Sequence, residues 1–214
     1  MDISRKNLTR ELCKNLGYHT RFGCCIKTIS QDIYATMAFN IAHYGVKGHS
    51  FVAPRIGVLH DGVEALLYKV SNIECYRRPS FPTISEHIGY ILPSNTWVEW
   101  DLDEGGNDLL DVIKDMQDKI MQCAEIFNTK YASLENIISY TEGLPYGSAY
   151  QELMIRLPIM YYLVGEKQKG LTYIETICNK YPENNLFSVI YRTNFNSLVQ
   201  QRQCPKTMKE EAES

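Results

Sequence analysis

No run of apolar residues in this 214-residue chain approaches the roughly 20 that a membrane-spanning helix needs, so no membrane partner is expected. Its seven cysteines, at positions 13, 24, 25, 75, 123, 178 and 204, contain no CxxC spacing and follow no apolar leader. Adjacent Cys24 and Cys25 would point to opposite faces of a strand, which disfavours shared metal coordination or bridging. The cysteines therefore read as buried or half-buried free thiols of a reduced, cytoplasmic protein. The nucleotide-binding patterns GxGxxG and GxxxxGK[ST] and the hydrolase patterns HExxH and GxSxG are missing. Gly45-Val46-Lys47-Gly48 has the small, basic look of a phosphate loop, but no helix is expected to follow it, so it reads as a turn. His43, His49 and His60 match no metal-ligand spacing. No cofactor or metal is expected. The formal charge is only −3, which gives no general reason to bind nucleic acid.

What the chain does contain is an ordinary globular composition, long enough for one sizeable core, with its charge unevenly placed. Met1 to His60 carries eight bases against three acids, whereas Glu99 to Asp118 carries eight acids against the single base Lys114. The basic helix with Arg5, Lys6, Arg10 and Lys14 is explained equally well by an exposed face and by an anionic partner.

The stretch from Phe81 to Asp118 joins a strand-rich first half to a helical second half. Its alternation and its Pro93-Ser94-Asn95-Thr96 segment predict a β-hairpin, Ile84 to Leu92 paired with Trp97 to Asp103, with Gly89 opposite Trp100. Val98, Trp100 and Leu102 would then face the core, and Trp97, Glu99, Asp101 and Asp103 the solvent. After Gly105-Gly106, the residues Leu109, Val112, Ile113, Met116, Ile120, Cys123, Ala124 and Phe127 recur at helical spacing. Asp108, Asp111, Asp115, Asp118 and Glu125 take the opposite side. Acids near a helix N-terminus suit the macrodipole and often form a solvated face. Asp111 and Asp115, however, are like charges at i,i+4 beyond the first turn, an arrangement that costs about 0.2–0.5 kcal/mol in an isolated helix and that a cationic partner would offset.

Elsewhere the pattern predicts a helix over Asp2 to Leu16 with Ile3, Leu8, Leu12 and Leu16 inward, and strands over Arg21 to Ile29, Ile33 to Tyr44 and Ser50 to Leu59. Pro54 would interrupt the last strand or place it at an edge. A short helix follows from Asp61 to Val70, with Asp61 as N-cap, then a loop exposing Arg77-Arg78-Pro79. Helices are expected over Ser133 to Tyr140, Ser148 to Val164 (kinked at Pro158), Lys167 to Lys180 and Leu186 to Gln201. The fold class is thus α+β: an antiparallel sheet with an N-terminal helix in residues 1–104, a helical portion packed on it in 105–204, and a polar flexible tail in 205–214.

Thr83-Ile84-Ser85-Glu86-His87-Ile88-Gly89-Tyr90-Ile91-Leu92-Pro93 and the Trp97 to Trp100 return resemble small bacterial α+β proteins of uncharacterised function, some of which are similar to immunity proteins encoded beside toxins. The resemblance carries over no catalytic residue. The function expected is that of a protein-binding module, with a basic toxin as the kind of partner. Its binding residues would be Tyr90, Trp97, Glu99, Asp101, Asp103, Asp108, Asp111, Asp115 and Asp118. The alternatives are a small hydrolase or metal-dependent enzyme using His87 or Cys24 and Cys25, and a helical adaptor working through its last helices.

Overall fold

In the computed structural model the described residues are 5–21, 24–73, 82–103, 105–145, 150–182 and 187–201. The Arg77-Arg78-Pro79 loop, Cys75, Cys204, Ile3, the Leu8 side chain and the 205–214 tail lie outside them. Helix α1 (Arg5–Asn15) ends where Gly17 takes φ +73°, and strands β1 (His19–Arg21), β2 (Cys24–Ser30), β3 (Ile33–Ala42) and β4 (His49–His60) follow in antiparallel order. Met37, Val52, Ile56 and Val58 of β3 and β4 are buried on one face of this sheet. Leu12 and Leu16 of α1 join the same core.

Cys13 and Cys25 form a disulfide between α1 and β2, with Cα atoms 5.4 Å apart. This corrects the expectation of a wholly free set of thiols. Cys25 pairs in register with Met37 and so points to the helix-covered face, where the last turn of α1 delivers Cys13. Cys24, its neighbour, points away.

The expected 84–103 hairpin does not form. β5 (Ile84–His87) pairs with Val58 to Arg55 of β4, and β6 (Trp100–Asp103) pairs with Val52 to His49, so both lie end to end along one edge of β4. Pro54 supplies the physical reason. The His60 N–H points to this edge, where it donates to Thr83 Oγ1, and strand alternation turns position 54 the same way. Proline has no N–H to offer there, and the ladder breaks between Val52 and Arg55. Pro54 therefore sits in the most fully paired strand of the sheet rather than making it an edge. Residues 88–99 leave as an insertion that opens with the short helix α3 (Ile88–Ile91).

The face assignments stand although the pairing changed. Trp100 and Leu102 are buried, Val98 is half-buried, Trp97, Glu99 and Asp101 are exposed, and Asp103, expected at the solvent, is half-buried. Helix α4 (Leu109–Lys130) covers β4 and β6 with Met116, Ile120, Cys123, Ala124 and Phe127 buried, as the periodicity predicts. Asp108, at its N-cap position, and Asp111, Asp115 and Asp118 are exposed; Asp111 lies in the first turn, where the macrodipole favours an acid, and not beyond it as expected.

His60, not Asp61, occupies the N-cap position of α2 (Asp61–Ser71), without a side-chain cap bond, and Asp61 is its first helical residue, donating its backbone N–H to Asp32 O. In the second half come α5 (Leu134–Glu142), with the Ser133 hydroxyl capping Asn136 N–H, then α6 (Gln151–Met154), α7 (Leu157–Leu163), α8 (Lys167–Lys180) and α9 (Val189–Gln201). Instead of kinking at Pro158, the helix stops and restarts, which places Pro158 in the first turn of α7, where an N–H is not needed. Residues Leu157 to Tyr162 are all buried, making α7 the hub of the helical half.

Two joints tie that half to the sheet through α2. Arg156 meets Glu64 in a bidentate pair (Nε–Oε1 2.9 Å, Nη2–Oε2 3.0 Å), while Asn194 of α9 donates to Val70 O at 3.0 Å.

Candidate functional site

The insertion is built around His87, the last residue of β5. Its Nδ1 accepts the Gly89 N–H at 3.1 Å, which makes His87 the N-cap of α3, and its own N–H donates to Glu86 Oε1 at 2.8 Å. The chain then folds back, and Thr96 N–H donates to Gly89 O at 3.1 Å. A Cβ at position 89 would collide with the Thr96 carbonyl oxygen and lie 2.9 Å from Val98 N. Glycine is required there by this crossing, not by a partnership with Trp100.

The crossing lays the Trp97 ring flat on the imidazole of His87, centroids 4.0 Å apart and planes 7° from parallel, while Tyr90 meets the same imidazole edge-on at 5.7 Å. His87 is 3% exposed, whereas Trp97 is 53% and Tyr90 48% exposed. Two solvent-facing aromatics are thus fixed by one buried ring. Because Nδ1 accepts, the neutral ring carries its hydrogen on Nε2, which is buried without a hydrogen-bond partner. Burial, then Arg55, holds His87 below the ordinary imidazole range, against the opposing pull of Glu86, the Val98 backbone and Glu99.

A line of contacts continues from this stack along the sheet edge. Trp97 Nε1 and the Tyr44 hydroxyl both donate to Glu99 Oε2, each at 3.4 Å. Tyr44 packs on Phe51 at 5.0 Å, Phe51 lies beside His49, and His49 Nδ1 reaches both carboxylate oxygens of Asp101 at 2.9 and 3.0 Å. That hydrogen bond comes first in raising the His49 pKa, and desolvation only partly opposes it. Register explains the alignment: Phe51 pairs with Asp101, His49 with Asp103 and Arg55 with His87, so all of them share the sheet face turned away from α4.

Of the predicted binding residues, Tyr90, Trp97, Glu99 and Asp101 belong to this line. Asp103 shares its face and accepts the Gly105 N–H at 2.9 Å. Asp108, Asp111, Asp115 and Asp118 lie across β6 on the helix side, and Asp115 accepts the Trp100 indole N–H at 2.9 Å. The acids therefore flank the edge on two sides and do not form one continuous sheet. Tyr44, His49, Phe51 and the anchoring role of His87 were not legible in the local pattern.

The residues considered for catalysis are placed otherwise. His87 is covered by Trp97, Cys25 is bonded to Cys13, and burial pushes the Cys24 thiol up, away from the thiolate a nucleophile needs. Ser50 Oγ meets His43 Nδ1 at 3.4 Å rather than the carboxylate-held His49. Among the described residues no cluster of three or more His, Cys, Asp or Glu is placed to hold a metal ion, and no helix is long and apolar enough to cross a membrane. No protein-family model, curated protein or solved structure matches the chain.

Proposed function

We propose that this chain is a protein-binding module whose β5–β6 edge takes a cationic protein, with a basic toxin as the partner class that the resemblance to immunity proteins implies. The observation that carries this reading is the unbroken contact line from Asp101 through His49, Phe51, Tyr44, Glu99 and Trp97 to His87. It presents exposed Tyr44, Trp97 and Tyr90 beside the carboxylates of Glu99 and Asp101. Aromatic faces held rigid lose little entropy on binding and serve as hot spots, while lysine and arginine side chains are attracted both to ring faces and to carboxylates. The acids of α4 add a longer-range attraction that speeds encounter.

Immobilised wild-type and Trp97→Ala chains exposed to extract of the native cell test this. The expected result is a basic protein retained by the wild type, released by added salt, and held about thirtyfold or more weakly by Trp97→Ala, the scale of a hot-spot truncation. Equal retention by both chains, or retention of acidic proteins only, overturns the reading.

The adaptor alternative has one observation in its favour. A groove of about 290 Å³ between α8 and α9, lined by Leu171, Ile174 and Arg192 among others, has the exposed Val189 at its rim. Retention that survives Trp97→Ala but fails in Val189→Asp would move the binding surface there.

A further inference from the structure

The histidine beneath Trp97 can do more than support it. Its environment favours the neutral ring: Nδ1 is committed as an acceptor to Gly89 N–H, and Nε2 is buried away from water. The charged and titratable groups around it are Arg55 from β4, Glu86 from β5, Tyr90 from α3 and Glu99 from the run into β6. A proton on Nδ1 would point at the Gly89 N–H, so the cap of α3 would be lost. The face of Trp97 attracts a cation, but a charged imidazole there would lie buried beside the Arg55 guanidinium with its Nδ1 proton facing the Gly89 N–H, and Glu86, Glu99 and the Val98 backbone offset this only in part.

We propose that Trp97 and His87 form an acid-released latch. With His87 neutral, residues 88–99 stay closed and Trp97 and Tyr90 are held in place for the partner. On protonation the Gly89 bond breaks, the imidazole turns to water, the stack opens and the aromatic anchor is lost. Release of a cationic partner in acid rests on the function proposed above; the latch itself is a property of the free chain.

The sign follows from the folded ring being harder to protonate than a free one. The latch's stabilisation is fully present above the ordinary histidine value of 6.5 and is lost as pH falls through the depressed folded value. His60, also held low by burial, titrates in the same direction at the far end of β4, so the readout must report on the latch alone.

The test follows the Trp97 indole N–H and the His87 ring by nuclear magnetic resonance in the full chain without partner, from about pH 8 to about pH 5, the range in which histidine switches. The expected result is one shared midpoint below the ordinary imidazole value, with loss of the ring-stacking shift of Trp97. His87→Asn, whose side-chain oxygen can take the Gly89 N–H but does not titrate, should leave the indole resonance unmoved by acid. Different midpoints in the wild type, or the same indole movement in His87→Asn, overturn the latch. If His87→Asn is not folded at pH 8 by circular dichroism, agreement or disagreement of the two wild-type midpoints decides. A latch that opens while a captured basic partner stays bound sinks the proposed binding surface but not the latch. A latch that stays shut while Trp97→Ala abolishes capture sinks the latch and leaves the surface.

Discussion

Two buried polar centres hold this fold, and they are finished to different degrees. At the joint between sheet and helices, Glu64 and Arg156 are 1% and 2% exposed, and each polar arm is used. Glu64 takes both guanidinium bonds and the Thr83 hydroxyl, Thr83 takes the His60 N–H, and Arg156 Nη1 turns to Glu152 at 2.9 Å. Burial alone would work against the guanidinium's charge, but Glu64 and Glu152 outweigh it and raise the Arg156 pKa. At the sheet edge, His87 is as deeply buried yet has one nitrogen without a partner and an exposed ring for a roof. A satisfied network locks two elements together, whereas an unsatisfied one under a solvent-facing lid can open. The first suits a structural joint and the second a working surface.

The largest expected effect breaks the locked centre. Arg156→Leu strands Glu64 in the core and should cost about 3–5 kcal/mol, measured by urea denaturation. Replacing both partners, Glu64→Met with Arg156→Met, should restore most of that loss, because no charge is left buried alone. A single variant within about 1 kcal/mol of wild type would show that water reaches the pair, and the contrast between the two centres would collapse.

Next in size is a comparison of the two tryptophans, which sit three positions apart on opposite faces. Trp100 is buried against α4 with its N–H on Asp115, so Trp100→Ala should cost about 3 kcal/mol or more. Trp97→Ala removes a half-exposed ring and should cost about 1 kcal/mol or less, in keeping with an exposed aromatic contact. The reverse order in denaturant titrations would mean that the insertion, not the α4 contact, carries stability, and the edge could not act as a latch.

Faces were legible in the sequence because alternation and helical spacing are local: Trp100 and Leu102 inward, Trp97 and Asp101 outward, and the stripe of α4, buried from Met116 to Phe127 and half-buried at Leu109, Val112 and Ile113. Pairing was not, because β5 and β6 take their partner from β4, and the Pro93-Ser94-Asn95-Thr96 turn signal favoured joining them to each other. Pro54 was the available clue. Its missing N–H marks where the edge ladder must stop, a signal that in the sequence alone fits an interrupted strand or an edge strand equally well. The same distance hid the site: Asp101 meets His49 across 52 positions and Glu99 meets Tyr44 across 55. The acids were visible as a charge run, while the aromatic line that gives them a geometry exists only once β4 lies beside β6. The Cys13–Cys25 bond was hidden for the same reason, since it joins α1 to β2 and exists only once the helix lies on the sheet.

The smallest expected effect separates the two acidic groups that β6 divides. Asp111 and Asp118 are exposed on α4, while Asp115 holds the Trp100 indole and so cannot be changed without disturbing the core. Reversing Asp111 and Asp118 to Lys should therefore leave the melting temperature nearly unchanged and slow association with a captured basic partner about tenfold at low ionic strength, an effect that fades as salt shortens the Debye length. Dissociation should stay as it was, because these side chains lie across the strand from the aromatic line. Glu99→Gln, in contact with both Tyr44 and Trp97, should instead speed dissociation. Stopped-flow rates at two salt concentrations distinguish the cases. If the helix reversal changes dissociation as strongly as Glu99→Gln does, the partner grips both sides of the edge, and α4 belongs to the contact surface rather than to the field around it.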